Sequence, residues 1–347
     1  MFQEPTQVLG IMSGSSLDGI DIGCFEFQAN NFKILKTKTY PIGKSLFQKL
    51  KTSDKLSEQK LKILDETFGR FIGEMVSRFL KNTKLIPKFI GLHGHTVFHE
   101  PGKGFSLQIG APKIVASITG LTTVADFRNI DISLGGQGAP LVPFGDINLF
   151  PGYDAYINLG GIANITLPSK NLAFDITYAN RALNFIANKL GLSYDNKGKL
   201  AREGSLIAEL FETLQKDKYL KINPPKSLNN QDFDQSILPV ISNYLDEPMN
   251  VLHTYNHFLA ENISRWITPK SKVLITGGSA KNKFLVELIE ETSKSEIITP
   301  KKEIIDFKEA LIFAFLALKK IKGELNVLSK FTGASNDSVS GMIFYPQ

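Results

Sequence analysis

One cysteine, Cys24, and one tryptophan, Trp266, stand in a chain of 347 residues. A single thiol excludes an intramolecular disulfide and any zinc cage built from several cysteines. Cys24 lies in an alternating apolar run, so it reads as a small buried hydrophobe rather than a nucleophile. Arginine is scarce as well. Lysine supplies most of the 40 basic residues, which face 34 acidic ones for a net charge of +6. The lysines are scattered, and the pairs at Lys301 and Lys319 have acids nearby. No basic face interleaved with stacking aromatics is visible, which argues against a nucleic-acid partner. No apolar run approaches the ~18 residues of a membrane-spanning helix. Met1-Phe2-Gln3-Glu4-Pro5 lacks the basic start and apolar core of a signal peptide. The expectation is a soluble, cytoplasmic protein with no membrane partner. With 42% hydrophobic residues and ordinary glycine and proline counts, 28 and 16, the chain is neither disordered nor collagen-like. At roughly 100–200 residues per domain, its length suggests two domains.

The pattern of apolar residues gives an α/β reading. Gln7 to Met12, Ile20 to Phe27 and Phe32 to Tyr40 read as three strands joined by short polar turns, an antiparallel meander. Residues 57–80 carry helical spacing through Leu61, Leu64, Phe68, Ile72, Val76 and Phe79. Phe89 to Leu92 is a short buried strand, 111–119 a helix and Leu121 to Ala125 a strand. After Pro151 the order begins again: strands at 154–159, 162–167 and 172–174, helices at 181–190, 205–213, 236–244 and 251–266, and a buried strand at 273–276. A helix at 282–291, a strand at 295–298 and an apolar-striped helix at 308–321 follow. The repetition is of architecture, not of sequence. The glycine- and proline-bearing stretch 135–151 is the expected hinge or crossover.

Five segments could carry chemistry. The hairpin loop Gly14-Ser15-Ser16-Leu17-Asp18-Gly19-Ile20-Asp21 offers backbone N–H groups and hydroxyls to an anion, and Asp18 could hold the water shell of a Mg²⁺. It could equally be a plain turn. Asn158-Leu159-Gly160-Gly161-Ile162-Ala163-Asn164 is a second glycine hairpin at the matching place of the second half. Gly277-Gly278 ends a buried strand ahead of Asn282 and a helix, a place where N–H groups gather. Asp175 follows a strand and precedes a helix; it is either a proton acceptor or a helix N-cap. Arg128, beside Asp126 and Asp131 and ahead of Gly135-Gly136-Gln137-Gly138, presents a fork for a carboxylate or else pairs with one of those acids. His93, His95 and His99 lack a third ligand at firm spacing. His253 and His257 lack the glutamate of a zincin, so a substrate hydrogen bond from His93 or His95 is the better reading. Trp266 reads as core.

These segments together resemble the anhydro-N-acetylmuramic acid kinases. The resemblance runs through Ile11 to Asp21, Gly94-His95-Thr96-Val97, Leu107 to Gly110, Val124 to Arg128, Gly135 to Pro143, Asn158 to Asn164, Asp175, Tyr194 to Gly198, Pro225-Lys226-Ser227, Gly277, Gly278, Asn282, Glu309-Ala310-Leu311 and Thr332 to Ser335. It spans nearly the whole chain in the family's order.

The resemblance implies the fold of the sugar kinase, heat-shock 70 and actin class: two ribonuclease-H-like (actin-like ATPase) α/β domains flanking an interdomain cleft. The first would be residues 1–127 with 325–347, and the second 128–324. It implies an ATP-dependent kinase that opens 1,6-anhydro-N-acetylmuramic acid with water and phosphorylates O6, giving N-acetylmuramic acid 6-phosphate in peptidoglycan recycling. On that footing Asp175 is the catalytic base. ATP is held by Gly14, Ser15, Ser16, Leu17, Asp18, Gly19, Ile20, Asp21, Gly160, Gly161, Asn164, Gly277, Gly278 and Asn282. Mg²⁺ lies near Asp18, through water. The sugar meets His95, Arg128, Gln137, Gly138 and Glu309. A homodimer through the second domain is the family-level expectation. The chain departs from the usual family pattern around the sugar: Asp175-Ile176-Thr177-Tyr178-Ala179-Asn180 lacks the usual glycines and sets a bulky Tyr178 beside the base, Leu228-Asn229-Asn230-Gln231 replaces Thr-Gly-Arg-Glu, and His95 stands for glutamine. A kinase for a different amino sugar, and a non-catalytic ATP-binding module, are the alternative readings.

Overall fold

The computed structural model describes residues 4–14, 17, 19–28, 31–228 and 230–347, with residues 230 and 231 described by backbone alone. Ser15, Ser16 and Asp18 therefore lie outside the described residues. The chain forms two compact units. The first comprises residues 1–151 and 307–347, the second residues 152–306.

The first unit is built on strands β1 (Thr6–Ser13), β2 (Gly19–Gln28), β3 (Asn31–Pro41), β4 (Phe89–Leu92), β7 (Thr122–Ala125) and β13 (Met342–Phe344), in the order β13-β7-β4-β1-β2-β3. Strands β1, β2 and β3 form an antiparallel meander, whereas β4 and β7 run parallel to β1. A separate hairpin pairs β5 (His95–Glu100) with β6 (Phe105–Ile109). The central strands are covered on both faces, so β1 and β4 read as apolar runs. The edge strand β3 is half-exposed and carries Lys33, Lys36 and Lys38, which discourages pairing with another chain. The helix Glu58–Leu80 covers the sheet with Leu61, Leu64, Phe68, Ile72, Val76 and Phe79, three and four residues apart.

The second unit repeats the scheme with β8 (Ala155–Leu159), β9 (Ile162–Leu167), β10 (Leu172–Tyr178), β11 (Lys272–Thr276) and β12 (Glu296–Ile298), in the order β10-β9-β8-β11-β12. Again three strands form an antiparallel meander, and its first strand is joined by two parallel ones. The helix Pro248–Ser264 is buried along most of its length and packs on this sheet's core.

The structure moves several boundaries. The chain passes between units at Pro151/Gly152 and Asp306/Phe307, not at 127/128 and 324/325. Residues 135–151 are not a bare hinge: they hold the helix Val142–Leu149, and Asp146 there forms a buried 3.0 Å ion pair with Lys308. The last long helix begins at Lys302 rather than 308 and runs to Lys322. Its segment after residue 307 lies directly on the first sheet. A side chain at Gly10 would sit 1.8 Å from the Ala310 carbonyl oxygen, and one at Gly91 2.2 Å from that of Phe313. Glycines in the middle of β1 and β4 thus let helix backbone approach sheet backbone, a role that strand propensity alone would count against them. Among the described residues no helix is long and apolar enough to cross a membrane.

Candidate active site

In the first unit β1 and β2 pair antiparallel up to Ser13 opposite Ile20. Leu17 is buried with its N–H donating to the Gly14 carbonyl, and Gly19 and Ile20 already belong to β2. Asp21 pairs with Met12 across the hairpin and accepts a 2.5 Å hydrogen bond from Thr39 Oγ1. At the end of β1, Ser13 Oγ is buried without a partner among the described residues.

Arg128 does not pair with Asp126 or Asp131. Asp126 accepts from the Asn129 side chain at 2.7 Å. Asp131 is fully buried and accepts from Gly138 N–H at 2.8 Å and Thr332 Oγ1 at 2.7 Å. Its carboxylate thereby organises the Gly135–Gly138 loop and ties it to the C-terminal Thr332 segment. Arg128 instead donates through Nη1 to the Gly138 carbonyl at 2.8 Å, and Nη2 lies 3.0 Å from His93 Nε2. His93 Nδ1 is 2.8 Å from the Gly94 carbonyl and must donate there, so Nε2 is the acceptor for Arg128. Burial and the Arg128 charge push the His93 pKa down to about 3, which keeps the ring neutral. Burial lowers the Arg128 pKa to about 10, against an opposing attraction from Glu309. Arg128 Nε is buried without a partner among the described residues, an unspent donor on a fork that suits a carboxylate.

Glu309 sits on the helix Lys302–Lys322, where burial raises its pKa; Lys308 and Arg128 oppose the shift, Asp21 and Asp146 add to it. His95 opens β5, and burial lowers its pKa despite a hydrogen bond to the Leu50 carbonyl. β4 ends at Leu92 and Gly94 turns with φ +79°, so the histidines do not share one strand face. Gln137 is exposed and its N–H donates to the Thr332 carbonyl. Gly138 spends both backbone groups on Asp131 and Arg128.

In the second unit a row of side chains crosses the sheet. The register sets Thr276 beside Asn158, Asn158 beside Asn164 and Asn164 beside Asp175. Directly paired residues share a face, so the row is polar across four strands. Asp175 lies inside β10, which extends to Tyr178 rather than ending at Phe174. The N-cap of the next helix, Asn180–Asn188, is Ala179, with no side chain capping it. Asp175 is therefore not an N-cap. Its N–H donates to the Lys226 carbonyl at 3.1 Å, its carbonyl accepts from Tyr219 Oη at 2.8 Å, and its Oδ2 accepts from Leu228 N–H at 3.0 Å. Burial raises the carboxyl pKa to about 6, and the Leu228 hydrogen bond restrains the shift. Tyr178 does not crowd the base: its ring is buried in the core against Phe233, and Tyr255 Oη bonds to its carbonyl.

The two glycine segments of this unit converge. The Gly160 carbonyl accepts from Asn180 N–H, and the Gly161 carbonyl from Ala179 N–H, both at 2.9 Å. Asn180 Nδ2 donates to the Leu159 carbonyl at 3.0 Å, and its other side-chain atom meets Ser279 Oγ. Gly277 has φ +85°, and a side chain there would strike the Leu159 backbone at 2.6 Å. Gly161, by contrast, opens onto free space. Asn282 has structural work: Oδ1 caps the helix Lys283–Ser293 through Leu285 N–H, and Nδ2 donates to Asn256. Tyr219 lies outside every sequence motif, and nothing local to Asn158 or Leu228 ties either to Asp175. Asn158 was visible as one end of the hairpin, but only the register sets it in line with Asp175. The other two are separated from Asp175 by 44 and 53 residues.

Two units, each a meander of three strands extended by parallel strands through helical crossovers, make this a duplicated ribonuclease-H-like α/β protein of the sugar kinase, heat-shock 70 and actin class. A sequence profile of the anhydro-N-acetylmuramic acid kinases matches residues 6–346. Curated proteins of that name are similar along their whole length: one from Vibrio cholerae is 33% identical, covering 97% of this chain and 98% of its own. One from a Sulfurovum species is 34% identical with the same coverages, and one from Caldanaerobacter subterraneus 31% identical, covering 98% and 97%. The chain belongs to the anhydro-N-acetylmuramic acid kinase family, and is a phosphotransferase.

Proposed function

We propose that this protein uses ATP to open the ring of 1,6-anhydro-N-acetylmuramic acid and phosphorylate its O6, within peptidoglycan recycling. The observation that carries this reading is Asp175, a carboxylate set in a polar row, held at one oxygen and poised near pH 6. The anhydro sugar has no free 6-hydroxyl, so a base has only water to activate. Asp175 takes the proton from that water through the oxygen that Leu228 does not hold. The water attacks C1, the C1–O6 bond breaks, and O6 takes the γ-phosphoryl group from ATP, whose bond to it breaks to leave ADP. A base whose pKa lies just below neutrality is mostly ionised at pH 7 yet still basic enough to be effective.

Arg128 suits the lactyl carboxylate, since its Nε remains unspent, and Glu309, His95, Gln137 and Gly138 are assigned to the sugar's surroundings. The phosphates of ATP are assigned to the hairpin Gly14 to Asp21, to Gly160, Gly161 and Asn164, and to Gly277 and Gly278. Both hairpins fit an anion: one ends β1 at a buried hydroxyl without a partner among the described residues, and the other presents an open glycine. Asn282 supports this site from behind, as a helix cap. Mg²⁺, held through water by Asp18, would neutralise phosphate charge.

A kinase acting on a free 6-hydroxyl of another amino sugar is the second reading. It is favoured by one observation: the segment that departs from the family pattern begins at Leu228, whose amide holds Asp175. Turnover in ¹⁸O-water separates the two. Ring opening places the label at C1, read by mass spectrometry, and Asp175→Asn lowers kcat by about 10²–10⁴-fold while nucleotide affinity holds. Phosphorylated sugar without label selects the second reading, and near-unchanged turnover in the variant removes Asp175 as the base.

A further inference from the structure

Behind β10, on the face opposite the Asp175 carboxylate, lies a cavity of about 240 Å³ lined by Ile176, Leu220, Lys226, Asn262, Arg265 and Trp266. Successive strand residues point to opposite faces. Accordingly Phe174, the neighbour of Asp175, meets Trp266 edge-on at 4.6 Å on the far side of the sheet. We propose that this cavity is a second ligand site, that it takes an anionic monosaccharide, and that its occupancy is coupled to Asp175 through Lys226.

The lining chemistry names the ligand class. Lys226 and Arg265 supply two positive charges. Lys226 has no ion-pair partner among the described residues; its ammonium donates to the Tyr219 carbonyl at 2.9 Å and lies 4.4 Å from the Tyr219 ring. Arg265 is half-exposed and shares its charge with Glu261 at 2.8 Å. The indole of Trp266 offers an apolar platform of the kind on which sugar rings stack. Asn262 and Arg265, both in the lining, are held in place by donating to Gln215 Oε1. Two cations, an aromatic face and the Asn262 amide suit a ring bearing hydroxyls and one carboxylate or phosphate.

The coupling is in the hydrogen bonds. The Lys226 carbonyl accepts the Asp175 N–H, and Tyr219, which Lys226 holds by its carbonyl, donates to the Asp175 carbonyl. An anion that draws the Lys226 ammonium into the cavity pulls on both ends of the bracket around Asp175.

Trp266 is the only tryptophan, so its emission reports on this cavity. The full chain would be titrated with N-acetylglucosamine 6-phosphate, glucuronate and, as the neutral control, N-acetylglucosamine. At least one anionic sugar changes the emission saturably and binds ten-fold or more tighter than the neutral one. The same sugar, at saturating ATP and acceptor sugar, shifts kcat two-fold or more, which simple competition at the active site would not do. In Arg265→Gln, with circular dichroism showing the fold kept, both effects are lost while turnover without added ligand holds. No saturable emission change, equal binding of the neutral sugar, effects surviving in Arg265→Gln, or an unmoved kcat at saturation would each overturn the proposal.

Discussion

Asp175 shows how a single side chain acquires its chemistry from its neighbours. A carboxyl on a strand surface titrates near 3.8, and burial raises this one to about 6. The folded state thereby favours the protonated form. The stability this group contributes is present below about pH 4 and is lost as the pH rises through 6. Two outcomes follow at this scale. The acid limb of kcat/KM should rise with a midpoint near pH 6 and vanish from the residual activity of Asp175→Asn. That variant keeps an acceptor for Leu228 N–H and removes a charge held at a cost, so above pH 7 it should be more stable than the wild type by about 1–2 kcal/mol. At pH 4 the gain should disappear. Urea unfolding at the two pH values checks it; equal differences at both would mean that the carboxyl titrates normally. His93 makes the opposite case. Burial and the Arg128 charge keep its ring neutral, and Nε2 accepts from that guanidinium.

At the scale of elements, glycines that look alike in the sequence do different work. Gly91 lies where β4 meets the backbone of the helix Lys302–Lys322, and Gly161 opens onto free space. Gly91→Ala should therefore cost roughly 1–3 kcal/mol through overpacking, seen as a lower urea midpoint at unchanged slope. Gly161→Ala should leave the midpoint where it is and raise the KM for ATP about ten-fold or more, if phosphate needs close backbone approach there. Unfolding by Gly161→Ala, or an unmoved KM, would refute the assignment of that hairpin. The strands were legible from alternation and apolar runs because each sheet face has a uniform environment. The β5–β6 hairpin was not. Most of its residues are only half-buried where they pack on the first unit's core, which leaves only a weak pattern. The length of β10 was missed for a similar reason: Asp175 looks like a strand terminator until the segment 226–228 is seen to bond to it.

On the scale of the whole molecule, the second unit is one continuous stretch, 152–306, with its own hydrophobic core, while the first is assembled from both ends of the chain. The fragment 152–306 should fold cooperatively alone. Residues 1–151 without 307–347 should not, because the helix that presses on Gly10 and Gly91, and the partner of the buried Asp146, would be missing. Thermal unfolding followed by circular dichroism tests both. A cooperative transition in 1–151 would show that the first sheet does not depend on that helix.

Most of the strands and long helices, the repetition of their order and the family were determined by the sequence itself, the β5–β6 hairpin, β13 and the helix Val142–Leu149 excepted. Periodicity and short glycine-bearing motifs are local, and a chain writes local information in consecutive residues. The partners of Asp175 and Arg128, and the chain's crossing points at 151 and 306, were decided by tertiary structure. Tyr219 and Leu228 reach Asp175 across 44 and 53 positions, and Arg128 chooses His93 and Gly138 over the acids beside it. Which groups meet there depends on strand register and helix packing, and those are fixed only when the two sheets close over their cores.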